Sequence, residues 1–289
     1  MRTISFLIST FAFILSLSAQ DSTLRVMSYN IRLPHLGDGV NYWDNRRPLV
    51  ASVIRFHEAD LIGVQEAFRR QLDEMITDMP EYNWFGVCRT DGTIQPNPDN
   101  EFSAILYRKD RFVLMDGNTF WLSETPNVPG SKGWDAALPR IVTWAKFKDK
   151  LTGKEFFHFN THFDHMGENA RAESAKLLLR QVKEISNNYP VVITGDFNTS
   201  ESSLPYSILT NDKIDFHFTD AVHISQLAHH GPVGTFSSTF QLPGVGVNRI
   251  DFVFVVGAVS VLKHAILSDS WDGRLASDHL PVLTQLKIE

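Results

Sequence analysis

The run Val191-Val192-Ile193, continued by Thr194-Gly195-Asp196-Phe197-Asn198-Thr199, constrains this chain more than any other stretch. An apolar run this short, entering a Gly-containing turn, reads as a buried strand rather than a helix. A carboxylate and a carboxamide then leave its end two residues apart. In extended backbone, residues i and i+2 project to one side, so Asp196 and Asn198 can face one target. Gly195 permits a close backbone approach, or a backbone angle that other residues avoid. An ionised oxygen beside a neutral amide suits a hard cation and the oxygens of a phosphate. Taken alone, the stretch is also explained by a strand that ends in an Asx turn.

Other strand ends in the chain carry the same kind of cargo. Leu24 to Tyr29 alternates like a strand and delivers Asn30, and Asp60 to Gln65 delivers Glu66. His162 follows the strand that ends at Phe159-Asn160. Asp251 opens or interrupts Arg249-Ile250-Asp251-Phe252-Val253-Phe254, and Asp278-His279 precedes Leu280-Pro281-Val282-Leu283. Each has a dull reading as a cap or a solvated turn. Together they make a coherent chemical set. Glu66, helped by Asn30, is a candidate holder of Mg²⁺, which binds through one or two carboxylates and keeps room for substrate oxygens. Asp196 is a candidate base for water, with Asn198 donating to the attacked group. Asp251 or Asp278 could orient His279, and Arg140 and His162 are candidates for contacting phosphate.

Helical periodicity is clear only at Asn45 to His57, Phe68 to about Thr77, Glu168 to Ser186 and, in brief, Leu204 to Leu209. Strands dominate the rest, with no repeat and no linker. Two packed sheets with helices outside, in one α/β domain, is the expected architecture.

Composition narrows the setting. Met1-Arg2-Thr3, an apolar run from Ile4 to Leu17 and Ser18-Ala19-Gln20 read as a signal peptide over residues 1–19, leaving a domain over 20–289. The product is expected to be secreted or periplasmic, monomeric and without a membrane span. The single cysteine, Cys88, excludes an intramolecular disulfide, so stability must come from packing. With 27 basic against 33 acidic residues, extended duplex nucleic acid is a disfavoured partner.

Ser28-Tyr29-Asn30-Ile31-Arg32, Gln65-Glu66, Asn160-Thr161-His162, Gly195-Asp196-Phe197-Asn198, Arg249-Ile250-Asp251-Phe252 and Ser277-Asp278-His279-Leu280-Pro281-Val282 resemble the motifs of the endonuclease/exonuclease/phosphatase superfamily, in its order. The pattern is most similar to secreted bacterial members. The resemblance implies a four-layer α/β/β/α sandwich of two mainly antiparallel sheets, of the deoxyribonuclease I-like type. It also implies Mg²⁺ or Mn²⁺ and in-line attack of water on phosphorus. It places Asn30, Glu66 and Asp278 at the metal, and His162, Asn198, His279 and Arg140 around the phosphate. Asp196 becomes the base and Asp251 a further site carboxylate. The tyrosine that many nuclease members place at the phosphate has no counterpart, and Glu101 stands where that branch has other residues.

The expected activity is metal-dependent hydrolysis of a phosphodiester, with the phosphoester substrate itself open. A phosphomonoesterase acting on a sugar or inositol phosphate would use the same site. Two other classes are considered: a secreted binding module without chemistry, and a zinc hydrolase of the metallo-β-lactamase type built on Asn160-Thr161-His162-Phe163-Asp164-His165. Trp43, Trp121 and Trp134 are candidate stacking platforms for a base or sugar. Asp164 and His165 are candidates to line the cleft without assigned roles, and Arg171 reads as a solvated helix residue in preference to one that faces the site.

Overall fold

The computed structural model describes residues 22–95 and 101–289; the expected leader and the end of the polar loop 91–100 lie outside the described residues. The chain runs through β1 (Leu24–Asn30), α1 (Trp43–Phe56), β2 (Leu61–Gln65), α2 (Arg69–Asp78), β3 (Tyr82–Phe85), β4 (Ile105–Arg108), β5 (Phe112–Trp121) and β6 (Ile141–Asp149). It continues through β7 (Glu155–His162), α3 (Glu168–Ser186), β8 (Val191–Asp196), α4 (Leu204–Leu209), β9 (Thr219–Asp220), β10 (Asp251–Val256), β11 (Val259–Ile266) and β12 (Val282–Ile288). Among the described residues, no helix is long and apolar enough to cross a membrane.

The strands form two six-stranded sheets, ordered β11-β12-β1-β2-β4-β3 and β9-β10-β8-β7-β6-β5. Each contains one parallel pair, β1 with β2 and β7 with β8, and every other pairing is antiparallel. Both parallel pairs are β-α-β units, with α1 and α3 as the crossover helices. Three apolar clusters separate four layers. One joins α1 and α2 to the first sheet, one lies between the sheets, and one joins α3 and α4 to the second. The α/β/β/α sandwich is therefore the observed architecture.

Side-chain alternation explains where polarity collects. On the inner faces, the strands begin apolar and turn polar residue by residue. Leu24 and Val26 lead to Ser28 and Asn30, and Phe156 leads to His158, Asn160 and His162. Val192 leads to Thr194 and Asp196, and Val255 and Val253 (in β10, which runs the other way) to Asp251. Outward residues such as Phe159 and Ile193 pack beneath α3. A buried polar column thus climbs between the sheets to one rim.

Asn160 is the centre of that column. Its Nδ2 donates to the Val64 and Ala104 carbonyls, both at 2.9 Å, and its Oδ1 accepts from Gln65 Nε2 at 2.7 Å and Thr194 Oγ1 at 3.0 Å. Gly63 on β2 makes the space: a Cβ there would lie 1.9 Å from Thr194 Oγ1 and 2.3 Å from Asn160 Oδ1. Asn160 therefore joins the sheets with its amide fully engaged, which leaves the zinc motif of its segment without a first ligand.

Two expectations shift by a register or more. His162 lies inside β7 rather than after it, because β7 stays paired with β8 as far as Asp196. β3 was not anticipated, since four residues flanked by turns carry too little periodicity. The tryptophans are no platforms. Trp43 and Trp121 are buried, with their Nε1 donating to Glu74 Oε2 at 2.7 Å and the Arg89 carbonyl at 2.6 Å. Trp134 packs against the apolar layer under α3.

Candidate active site

The C-terminal ends of both parallel pairs open on the same rim. In the second sheet, His162, Asp196 and Asp251 are direct cross-strand neighbours on β7, β8 and β10. In the first, Asn30 stands beside Gln65, and Glu66 follows at once. The segment before β12 brings Asp278 and His279 between them, fastened by Ser277 Oγ donating to the Asn30 carbonyl at 2.8 Å. Arg46 of α1, fully buried, ties the same place together by donating to the carbonyls of Ile31 and Ala276, each at 2.9 Å.

A cleft of about 540 Å³ results, and Glu66, Asp196, Asn198, His162, Asp278 and His279 all line it. Asn30 and Asp251 lie directly beneath. Asn30 Nδ2 donates to Glu66 Oε1 at 3.2 Å and to Asp196 Oδ2 at 3.0 Å, so one amide joins the two carboxylates. Its Oδ1 accepts from the Arg32 N–H at 3.0 Å. Asn198 meets Asp196 through a turn rather than by strand alternation. Its N–H donates to Asp196 Oδ1 at 3.0 Å, with φ at 48°. Arg32 and Glu66 are also left-handed, at 59° and 57°, a conformation that costs non-glycine residues and gathers at functional sites. Gly195 has no such angle; its role is close packing, since a Cβ would lie 2.8 Å from Thr161.

The electrostatics divide the cleft into two sides. Burial raises the pKa of Asp196 and the Asp251 charge adds to it, against the lowering influence of His162, His279 and the Asn198 N–H. The result is a carboxylate more basic than usual, suited to accept a proton from water. Burial alone would lower His279, but the Asp251 and Asp196 charges outweigh it and hold the imidazole well above its ordinary value. Its Nδ1 donates to Asp251 Oδ2 at 2.9 Å, and Nε2 lies 3.7 Å from Asp196 Oδ2. His162 goes the other way: burial, aided by Arg140, pushes it down to about 3. Asn198 Nδ2 donates to the Phe163 carbonyl and to His162 Nε2, both at 3.0 Å. That leaves the His162 proton on Nδ1, facing Glu101 Oε1 at 3.5 Å.

Two places offer ligand atoms to a cation. Asp196, Asp251 and His279 bring donor atoms within 4.8 Å of one another. His279 Nδ1 is already engaged with Asp251 Oδ2, so this trio offers a cation fewer free donor atoms than its composition suggests. Glu66 and Asp278 fit better. A nitrogen of Arg32 lies 4.0 Å from Glu66 Oε2 and 3.6 Å from Asp278 Oδ2, as the cation they share. Burial raises Asp278 and the Glu66 charge adds to it, against the lowering influence of His279, Arg32 and Arg46. Hard oxygen donors of this kind suit Mg²⁺ or Mn²⁺.

At the far wall, Arg140 is held by Asp164 (Nε to Oδ2, 3.3 Å) and by His165 Nδ1, which accepts from Nη2 at 2.9 Å. Asp164 is structural. It accepts N–H bonds from Ala137, Leu138, Met166 and Gly167, and these outweigh burial and lower its pKa. Arg171 donates to the Asp164 carbonyl at 2.9 Å. Phe236 stands over His279, ring centroids 5.1 Å apart. Arg89 and Arg46 were not foreseen from sequence, since neither lies in a motif or at a strand end; both are known only by what folding brings beside them.

A model of the Endonuclease/Exonuclease/phosphatase family matches residues 27–279. The chain belongs to that family. Family members hydrolyse phosphoester bonds, and this chain is accordingly a phosphoester-hydrolysing enzyme. A family member from Bacteroides vulgatus is 39% identical, with a TM-score of 0.84 over 92% of this chain and 99% of its own. A mannosyl-6-phosphatase from Bacteroides thetaiotaomicron is 38% identical, with a TM-score of 0.84 over 91% and 99%. A mimivirus protein is 30% identical over 83% of this chain and 91% of its own length. The human Nocturnin catalytic domain, 18% identical with a TM-score of 0.72 over 93% of this chain and 95% of its own, shares the fold.

Proposed function

We propose that this protein is a divalent-metal-dependent phosphomonoesterase acting on a small sugar phosphate. The observation that carries it is the Asn30 amide, which joins Glu66 to Asp196 and so fixes a cation-holding acid and a base on opposite sides of one cleft. Glu66 and Asp278 would hold the cation, which supplies charge neutralisation at phosphoryl oxygen. Asp196 takes a proton from water as the water oxygen attacks phosphorus. The ester P–O bond breaks, and the alcohol leaves with a proton from solvent. His279, held cationic by Asp251, offers a donor to the phosphoryl oxygens.

The sequence alone leads to a phosphodiester as the expected substrate. The monoester is preferred for two reasons. A relative named as a mannosyl-6-phosphatase matches nearly its whole length at 38% identity. The cleft is also of a size for a small ligand, with Leu138 and Phe236, both exposed, as apolar walls against a sugar ring. We also read the protein as exported behind Met1–Ala19 and monomeric; a mature N-terminus at Gln20 would bear out the export.

The test is phosphate release from mannose 6-phosphate, glucose 6-phosphate, bis(p-nitrophenyl) phosphate and single-stranded RNA, with Mg²⁺ or Mn²⁺ and with chelator. Release from a sugar monoester, abolished by chelator, supports the proposal. Turnover of the diesters without any monoester turnover overturns it in favour of a nuclease-type phosphodiesterase.

A further inference from the structure

Beside Arg140, the cleft has a built end in which no motif accounts for Arg89 and Glu101. Glu101 is brought there by backbone pairing. Glu101–Phe102 forms a two-residue ladder with Ala67–Phe68, directly after Glu66, and the Arg89 N–H donates to the Glu101 carbonyl at 3.0 Å. The Glu101 carboxylate is buried, pairs with Arg89 Nη1, and lies 3.8 Å from Arg140 Nη1. One acid therefore anchors two guanidinium groups side by side. Arg89, Glu101 and Arg140 all line the cleft.

The donors in this wall exceed its acceptors. Arg89 Nε and Arg140 Nη1 are both buried, and neither has a hydrogen-bond partner among the described residues. An N–H removed from water without an acceptor is unfavourable, so such groups in a folded protein call for an explanation. An anion belonging to the substrate would supply the acceptors that both groups lack. A phosphomonoester has three terminal oxygens and close to two negative charges, whereas a diester has two such oxygens and one charge. His279, and a cation held by Glu66 and Asp278, would already address the oxygens that both kinds of ester share. What distinguishes the monoester is one further charged oxygen, and a pair of guanidinium forks is the group suited to it.

We propose that Arg89, anchored by Glu101 beside Arg140, is a specificity-determining residue that selects dianionic phosphomonoesters over monoanionic diesters. This deepens the monoesterase reading and rests on it. A diester bound in the same place would put a substituted oxygen, unable to accept two charge-assisted bonds, against the two arginines.

The experiment compares kcat/KM for p-nitrophenyl phosphate with that for bis(p-nitrophenyl) phosphate, in wild type, Arg89→Gln and Arg89→Lys, with Mg²⁺. The ratio within one preparation is unaffected by the fraction that folds. For Arg89→Gln the monoester value is expected to fall about 10- to 100-fold and the diester value by less than about threefold, with Arg89→Lys in between. A ratio unchanged within about twofold in both variants overturns the assignment. Calorimetric binding of inorganic phosphate and of dimethyl phosphate to the same three proteins separates this failure from that of the monoesterase reading. If the wild type hydrolyses no monoester yet prefers inorganic phosphate in an Arg89-dependent way, the assignment stands and the reading falls. If the preference is absent or independent of Arg89, the assignment falls.

Discussion

Asn160→Leu is the sharpest probe of what holds the site together. The substitution keeps the side chain's approximate size and removes four buried hydrogen bonds: two to the Val64 and Ala104 carbonyls, and one each from Gln65 and Thr194. Some partners keep a second contact. Gln65 Nε2 still reaches the Gly63 carbonyl, and Thr194 Oγ1 still meets His158 Nε2. At about 1 kcal/mol for each net bond, less what added apolar contact returns, the expected loss is about 3 kcal/mol. For a domain of this size that lowers Tm by about 6 to 12 °C. Activity should suffer as well, because Gln65 adjoins Glu66 and Asn160 lies two residues before His162. A displacement of the two half-sites by a fraction of an ångström should reduce kcat by about tenfold or more, measured well below the melting temperature. Calorimetry and initial rates on the same sample test both parts. A melting point within about 2 °C of wild type, with unchanged kcat/KM, would refute the claim that this node sets the spacing of the sheets.

Other perturbations address the chemistry and the acid response. Asp196→Asn should lower kcat by about 10²- to 10⁴-fold in a steady-state assay, with the melting temperature little changed; retention of more than a tenth of the activity would count against the base assignment. Glu66→Gln should raise the Mg²⁺ concentration needed for half-maximal rate by at least about tenfold, and an unaltered Mg²⁺ titration would move the cation elsewhere. His158 and His264 are each pushed down to about 3, chiefly by burial, with Arg249 adding to the shift at His264. The unfolded chain binds these protons below about pH 6.5 and the native chain does not, so stability falls as pH drops from there toward 3. The limiting slope is about 1.4 kcal/mol per pH unit for each histidine. Urea titrations of wild type and His158→Gln between pH 5 and 7 should differ in slope by an amount that grows toward one proton's worth at pH 5; identical slopes would exclude the buried neutral state.

Much of this site could be read from the chain because its residues sit where alternation stops being apolar. The sequence Leu24, Val26, Ser28, Asn30 shows both the strand and the direction in which it becomes polar, and Val192, Thr194, Asp196 repeats it. The helix Glu168–Ser186 was legible from its stripe of Leu178, Leu179 and Val182, and ends at Asn187 in a left-handed turn. What was illegible depends on partners far away in sequence. Nothing near Arg46 shows that it will hold the carbonyls of Ile31 and Ala276, and nothing near Glu101 shows that it will anchor Arg89. Trp43 and Trp121 mislead for the same reason, since a large aromatic beside a loop looks identical in sequence whether it faces solvent or core. Local pattern records which face a residue takes, and only tertiary packing decides what waits on the other side.

The cleft's walls and its floor come from different kinds of backbone. Asn30, His162, Asp196 and Asp251 are fixed by strand pairing, whereas Arg89, Leu138 and Phe236 stand on connecting segments outside the two large sheets. A mutational library confined to Leu138 and Phe236 would therefore explore new alcohols while leaving the hydrolytic apparatus in place. Selection for a changed leaving group has an adjustable part and a part it need not touch.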